Sequence, residues 1–302
     1  MENFVIIISY LLIGMALRHV PKFPKETSAV FNLYVIYVCL PALTFLKIPE
    51  LELSSQLLVP VLMPWGMLLF SACIIWAFSI YLKWDKGTTG ALMLLIPMGN
   101  TSFLGIPMVR AFFGDAGVSF AVLYDQLGSF LALSTYGTIV LAYYSGTGKV
   151  SAREIAVRIC TFPPFIALML ALVFRSVAIP RPVSLLLESL AATLVPVVMI
   201  AVGFQLRLKL SPEVWKPLGV GLGVKLVVAP VAALGVCYVL GLNSLAAKVS
   251  VLEAGMPPMI SAGAVAIMAG LSPSLTAALV GFGIVFSFVS LPILQSLLAV
   301  LG

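Results

Sequence analysis

Charge is what this 302-residue chain has least of: Asp, Glu, Lys and Arg make up 9% of it, against about 25% in an ordinary soluble domain. Hydrophobic residues make up 62%, and no long polar segment exists to hold the missing charge. A soluble fold of this composition would expose apolar surface far beyond the few hundred Å² that a monomer tolerates. Histidine is nearly absent as well. With His19 alone, neither a membrane Ser–His dyad nor a two-histidine zinc site can be built. The four cysteines (Cys39, Cys73, Cys160, Cys237) lie in apolar runs and form no CxxC pair. They read as small core residues, not as disulfides or zinc ligands. The 17 Lys and Arg are scattered between apolar runs, so the net charge of +6 is no nucleic-acid footprint. These absences exclude soluble enzymes, nucleic-acid binders and disordered tails. What remains is a polytopic protein of the lipid bilayer, with no nucleic-acid partner.

A helix crossing about 30 Å of hydrocarbon needs roughly 20 residues, so the length holds ten spans joined by short connections. Apolar runs and their punctuation place the first five at Val5–Leu17, Lys25–Leu46, Gln56–Leu82, Thr88–Phe112 and Val118–Tyr144. The second five fall at Ser151–Phe174, Arg181–Leu206, Val214–Leu240, Ser244–Ala269 and Pro273–Leu301. The first run lacks a basic n-region and a cleavage site, which reads as a retained helix and not a signal peptide. Loop charge gives the orientation. Lys47, Arg110, Arg175, Arg181 and Lys248 lie on the side of the termini, while eleven basic residues, Lys149 and Lys209 among them, lie opposite. Both termini are therefore expected outside the cytoplasm, in a cell membrane of the bacterial inner-membrane type.

The two halves repeat. Leu40-Pro41 in the second span recurs 155 positions later as Val195-Pro196 in the seventh. The fourth span breaks at Met98-Gly99-Asn100-Thr101-Ser102 and the ninth at Ala254-Gly255-Met256-Pro257-Pro258, an offset of 156 between Gly99 and Gly255. Residues 1–146 and 150–302 then form two five-helix repeats. An odd number of spans forces the second to enter inverted. Inverted repeats with an interrupted helix at matching places in each half point to a secondary transporter.

Both breaks fall near mid-membrane, where irregular backbone survives only if it lines a cavity or is buried in protein. Amides after the breaks, from Thr101, Ser102, Met259 and Ile260, present partial positive charge to an anion. Carbonyls before them, from Met98, Gly99, Glu253 and Ala254, face a cation. Asn100, Thr101 and Ser102 either hydrogen-bond a substrate carboxylate or cap their own half-helix. Asp125 and Glu253 are ionisable groups at membrane depth, a functional signal by default. They are expected to share a cation, with Gln126, Ser129 and the Gly99–Asn100 backbone completing an oxygen shell. Structural hydrogen bonding and protonation are the alternatives, and the sequence does not separate H⁺ from Na⁺. Lys225, in the eighth span, is expected to snorkel to the cytoplasmic surface. Glu188 is expected at the interface.

Three segments, Asn100-Thr-Ser-Phe-Leu-Gly-Ile-Pro107, Leu123-Tyr-Asp-Gln-Leu-Gly128 and Glu253-Ala-Gly-Met-Pro-Pro-Met-Ile-Ser261, together resemble the auxin efflux carrier family over the whole chain. The resemblance implies an all-α, ten-helix fold similar to bile acid/sodium symporters and sodium/proton antiporters. Broken helices four and nine would cross at mid-membrane. They would belong, with helices five and ten, to a transport part moving against a scaffold that includes helices two and seven. It implies organic-anion substrates, auxin in plant members and small carboxylates in bacterial ones. Asn100 would hold the carboxylate, with Gly99, Thr101 and Ser102 facing Met256, Pro257, Pro258 and Met259. In the related symporters, ion ligands come from helices four, five and nine, and Glu253 resembles the glutamate before the ninth-helix break. Two features depart from the family. The loop Ser145–Val150 is far shorter than in many plant exporters, and the fourth-helix break is Gly-Asn-Thr-Ser with prolines only flanking it. The expected activity is alternating-access transport of small organic anions, coupled to Na⁺ or H⁺ and without a cofactor. An uncoupled uniporter or channel is the alternative, and a homodimer is left open.

Overall fold

The structure, a computed structural model, describes residues 2–52, 54–146, 150–208 and 210–300. Among the described residues it is helical throughout, with no strand. The helices are α1 (Glu2–Leu17), α2 (Thr27–Lys47), α3 (Ser55–Tyr81), α4 (Lys86–Leu95), α5 (Thr101–Phe113), α6 (Asp115–Ser145) and α7 (Ala152–Cys160). They continue as α8 (Pro163–Val173), α9 (Arg181–Gln205), α10 (Pro212–Val239), α11 (Leu245–Ala254), α12 (Ile260–Met268) and α13 (Pro273–Val300). By length and composition, α2, α3, α6, α9, α10 and α13 each suffice to cross a membrane, and α7 with α8 makes a seventh crossing if the bent pair is one span. The chain is a multi-pass membrane protein.

Proline shapes three of these helices in the same way. The π-helical turns Val35–Cys39, Thr101–Gly105 and Val224–Val228 each end two residues before a proline, Pro41, Pro107 and Pro230. A proline inside a helix lacks its N–H and crowds the carbonyl four residues back. Widening the preceding turn relieves that contact without ending the helix. Two further π stretches, Tyr124–Phe130 and Leu133–Gly137, lie in α6. The carbonyl of Leu127 in the first accepts a hydrogen bond from Trp65 Nε1 on α3 at 3.0 Å.

α4 and α11 are built alike. Each has ten residues, and each starts on a side-chain cap, Asp85 accepting from the Thr88 amide and Ser244 from the Ala247 amide. Such caps satisfy amides that the first helical turn leaves unpaired. α4 stops before Pro97 and α11 before Pro257-Pro258, which lack the N–H that a continuing helix needs. Two apolar cores hold the helices. One joins α1, α2, α8 and α9 to α5, α11 and the start of α6. The other joins α4, α10, α12 and α13 to the end of α6.

Some expectations change. The sixth span, expected unbroken over Ser151–Phe174, is two helices meeting at 64°. Pro163-Pro164 starts the second, and the first carries Arg153, Glu154 and Arg158 on exposed positions. Cys73 and Cys160 are exposed and only Cys39 and Cys237 are buried, so half the cysteines face outward and not the core. Lys149, Lys209, Met1, Leu301 and Gly302, which entered the topology and the last span, lie outside the described residues.

Candidate functional site

The two interruptions meet. Gly99 and Pro258 form an antiparallel bridge, in which the Asn100 amide donates to the Pro257 carbonyl at 2.8 Å and the Met259 amide donates to the Met98 carbonyl at 3.3 Å. Extended backbone inside a membrane is tolerable only with such partners. Gly99, Asn100, Met256, Pro257, Pro258 and Met259 are thus brought into one small knot, all of them buried. The Asn100 carbonyl accepts from the Leu104 and Gly105 amides and starts α5. Its side-chain Nδ2 is buried with no hydrogen-bond partner. The Met259 amide, expected to be free for an anion, is used by the bridge.

Thr101 and Ser102 turn away from the bridge. Their hydroxyls donate to Asp125 Oδ1 at 2.6 Å and 2.5 Å, and Gln126 Nε2 donates to Asp125 Oδ2 at 3.1 Å. The π turn that starts α5 and the π stretch of α6 are joined by this cluster. Glu253 meets the same α5 turn at Gly105. It is completely buried, and neither carboxylate oxygen has a hydrogen-bond partner. A Cβ built on Gly105 would collide with both oxygens, so the carboxylate rests directly on the α5 backbone. Asp125 and Glu253 therefore meet one turn but have no hydrogen-bond partner in common. Gln126 Oε1 is buried and unpartnered. Ser129 makes no hydrogen bond to either carboxylate and lines a small pocket with Tyr124, Gly99 and Lys225.

Lys225 does not snorkel. It is 4% exposed, and its Nζ donates to the Ala254 carbonyl at 3.4 Å, at the carboxyl end of α11. A buried ammonium is costly unless it is hydrogen-bonded, and here the carbonyl end of α11 answers it.

A cavity of about 670 Å³ opens between α1, α2 and α9 on one wall and α5 and α6 on the other. Its charged lining is Lys47, Glu50, Arg110, Asp115 and Glu188. Lys47 pairs with Glu50 at 3.0 Å and Arg110 with Asp115 at 2.8 Å. In each pair the cation is the more buried partner, at 17% against 58% and 26% against 65%. The inner wall is therefore basic and the outer rim acidic. Pro107, on the cavity wall, is on the same helix as Thr101 and Ser102.

The family model described as membrane transport protein matches residues 1–295. The chain belongs to that family. It is the family of the auxin efflux carriers, as the three segments suggested. Over 297 residues the chain is 29% identical to an uncharacterized transporter of Methanothermobacter thermautotrophicus, covering 97% of this chain and 96% of that one. Over 275 residues it is 28% identical to an uncharacterized transporter of Methanocaldococcus jannaschii, covering 85% of each. Family and relatives are transporters, so this membrane transport protein moves a solute and does not catalyse a reaction. Sequence reasoning missed two parts of its site. Arg110, counted above only among the basic residues on the side of the termini, lines the cavity on the helix that leads from the break. Lys225 was assigned to the surface. Of the Gly219-x-Gly221-x-Gly223 run just before it, only Gly221 packs closely, against Leu92, Ile96 and Leu279, so the run gave little sign of how deep this part of α10 lies.

Proposed function

We propose that this membrane transport protein carries small organic anions, carboxylates of the auxin-like or simpler kind, by alternating access. The anion binds at the paired breaks, to Asn100 and the ends of α5 and α12, after entering past Lys47 and Arg110. The observation that carries this reading is the Asn100 side-chain nitrogen, buried beside the bridge with no partner of its own. An unpaired buried donor is costly, and an anion's oxygen satisfies it. Coupling runs through a cation, H⁺ or Na⁺, at the Asp125 and Glu253 carboxylates, which both meet the first turn of α5.

Ten spans arranged as two inverted five-helix repeats complete the proposal, with residues 1–146 and 150–302 as the halves and both termini outside. The like-built pairs support it: α4 and α11, each of ten residues, capped and then broken. The decisive experiment is uptake into proteoliposomes of a panel of mono- and dicarboxylates, with Na⁺ and pH gradients imposed separately. Accumulation of at least one acid is expected. Folded protein that moves none of them overturns the reading.

A further inference from the structure

Sodium is the coupling cation that the resemblance to bile acid symporters suggests, and the groups around Glu253 do not suit it. Three of the four carbonyls expected to ligate it, all but that of Gly99, have other partners. Met98 accepts from the Met259 amide at 3.3 Å, Glu253 from the Met256 amide at 3.1 Å and Ala254 from Lys225 Nζ at 3.4 Å. Asp125 already accepts from three side-chain donors. Above all, a positive charge is already in place. Lys225 lies in the π turn Val224–Val228 of α10, ahead of Pro230, and only 4% of it is exposed. A Cβ built on Gly99 would lie 3.3 Å from Lys225 Nζ and 3.4 Å from the Glu253 carbonyl oxygen. The ammonium is therefore wedged between the two breaks. A second monovalent cation beside it would meet like-charge repulsion that a buried site screens poorly.

We infer that the cation of this site is part of the chain: the Lys225 ammonium holds the place at the carbonyl end of α11 that a sodium ion would take beside Glu253, and the site works without sodium. This rests on the anion-carrier reading for its meaning in transport. Lys225 then supplies fixed positive charge near the substrate carboxylate, and of the two coupling ions only H⁺ remains.

The test is thermal unfolding of the purified full chain in sodium chloride against choline chloride at equal ionic strength. A ligand bound only by the folded state raises the melting temperature with its concentration. The wild type is expected to melt at the same temperature in both salts. Lys225→Met, which leaves Glu253 and the Ala254 carbonyl without their cation, is expected to gain a sodium-specific rise. If Lys225→Met cannot be recovered folded, Lys225→Gln keeps a donor for Ala254 while removing the charge and is read the same way. A sodium-specific rise in the wild type overturns the inference without any variant. So does a folded Lys225→Met or Lys225→Gln that melts alike in both salts. These measurements need no substrate, so they decide the role of Lys225 even if the uptake panel finds no transported acid.

Discussion

Glu253 rests on Gly105, so the smallest substitution available there tests the buried carboxylate without altering any polar group. Gly105→Ala drives a methyl group into both carboxylate oxygens, and uptake should fall to background while the protein still reaches the membrane. Gly66→Ala is the matched control. Nothing lies within 4 Å of that added methyl, so uptake should be unchanged and stability should rise by about 0.5–1 kcal/mol. Equal loss of uptake in both would mean that these helices do not tolerate alanine and that Gly105 is not special. Asn100 gives a second test of this kind. Because its Nδ2 bonds to nothing in the chain, Asn100→Ala should leave the melting temperature nearly where it was. It should cost the bound anion a hydrogen bond to a charged group, about 1.5–3 kcal/mol, or roughly a 10- to 150-fold loss of affinity measured by direct binding. Asn100→Asp should bind more weakly still. Unchanged affinity in both would move the substrate away from the breaks.

The two carboxylates part company at the level of helices. Asp125 ties α5 to α6 through Thr101 and Ser102, whereas Glu253 bonds to no donor. Asp125→Asn should therefore lower stability by at least one charge-assisted bond, about 1.5–3 kcal/mol, seen as a lower melting temperature. Glu253→Gln breaks no hydrogen bond, so it should lower the melting temperature less than Asp125→Asn does and lose gradient-driven uptake. Identical behaviour of the two variants would contradict this division. Helix positions themselves were legible in the sequence. Lys25–Leu46 was expected and Thr27–Lys47 is found, and both breaks fall where glycine and proline mark them. Hydropathy and proline act locally, so they are readable without knowing the fold. The bend between α7 and α8 was not read, although Pro163-Pro164 was in plain view, because proline also stands inside unbroken spans such as α3, at Pro64. Lys225 was misplaced for a different reason. α10 is apolar on nearly every side, so no periodicity tells which face turns inward, and only packing decides where that lysine points.

For the whole molecule, orientation is the first question, and two exposed loop residues test it. In a chain without its four cysteines, Lys83→Cys and Asn243→Cys should react oppositely with an impermeant thiol reagent. Asn243 should label from outside and Lys83 should not. The reverse pattern would turn the proposed topology over and put the cavity at the cytoplasmic face. Whichever face it serves, the cavity has an electrical consequence. Its five charged side chains and volume of about 670 Å³ suit water, which has room there and several partners. A water-filled recess carries the potential of its own side inward, toward the level of Pro107. The membrane voltage then falls across the short remaining stretch of packed helix around the bridge and not across the full bilayer. One elementary charge moved through 100 mV gains or loses about 2.3 kcal/mol, so a charged substrate would meet nearly all of that in a single step past the breaks. The membrane is electrically thinner at this site than it is in structure.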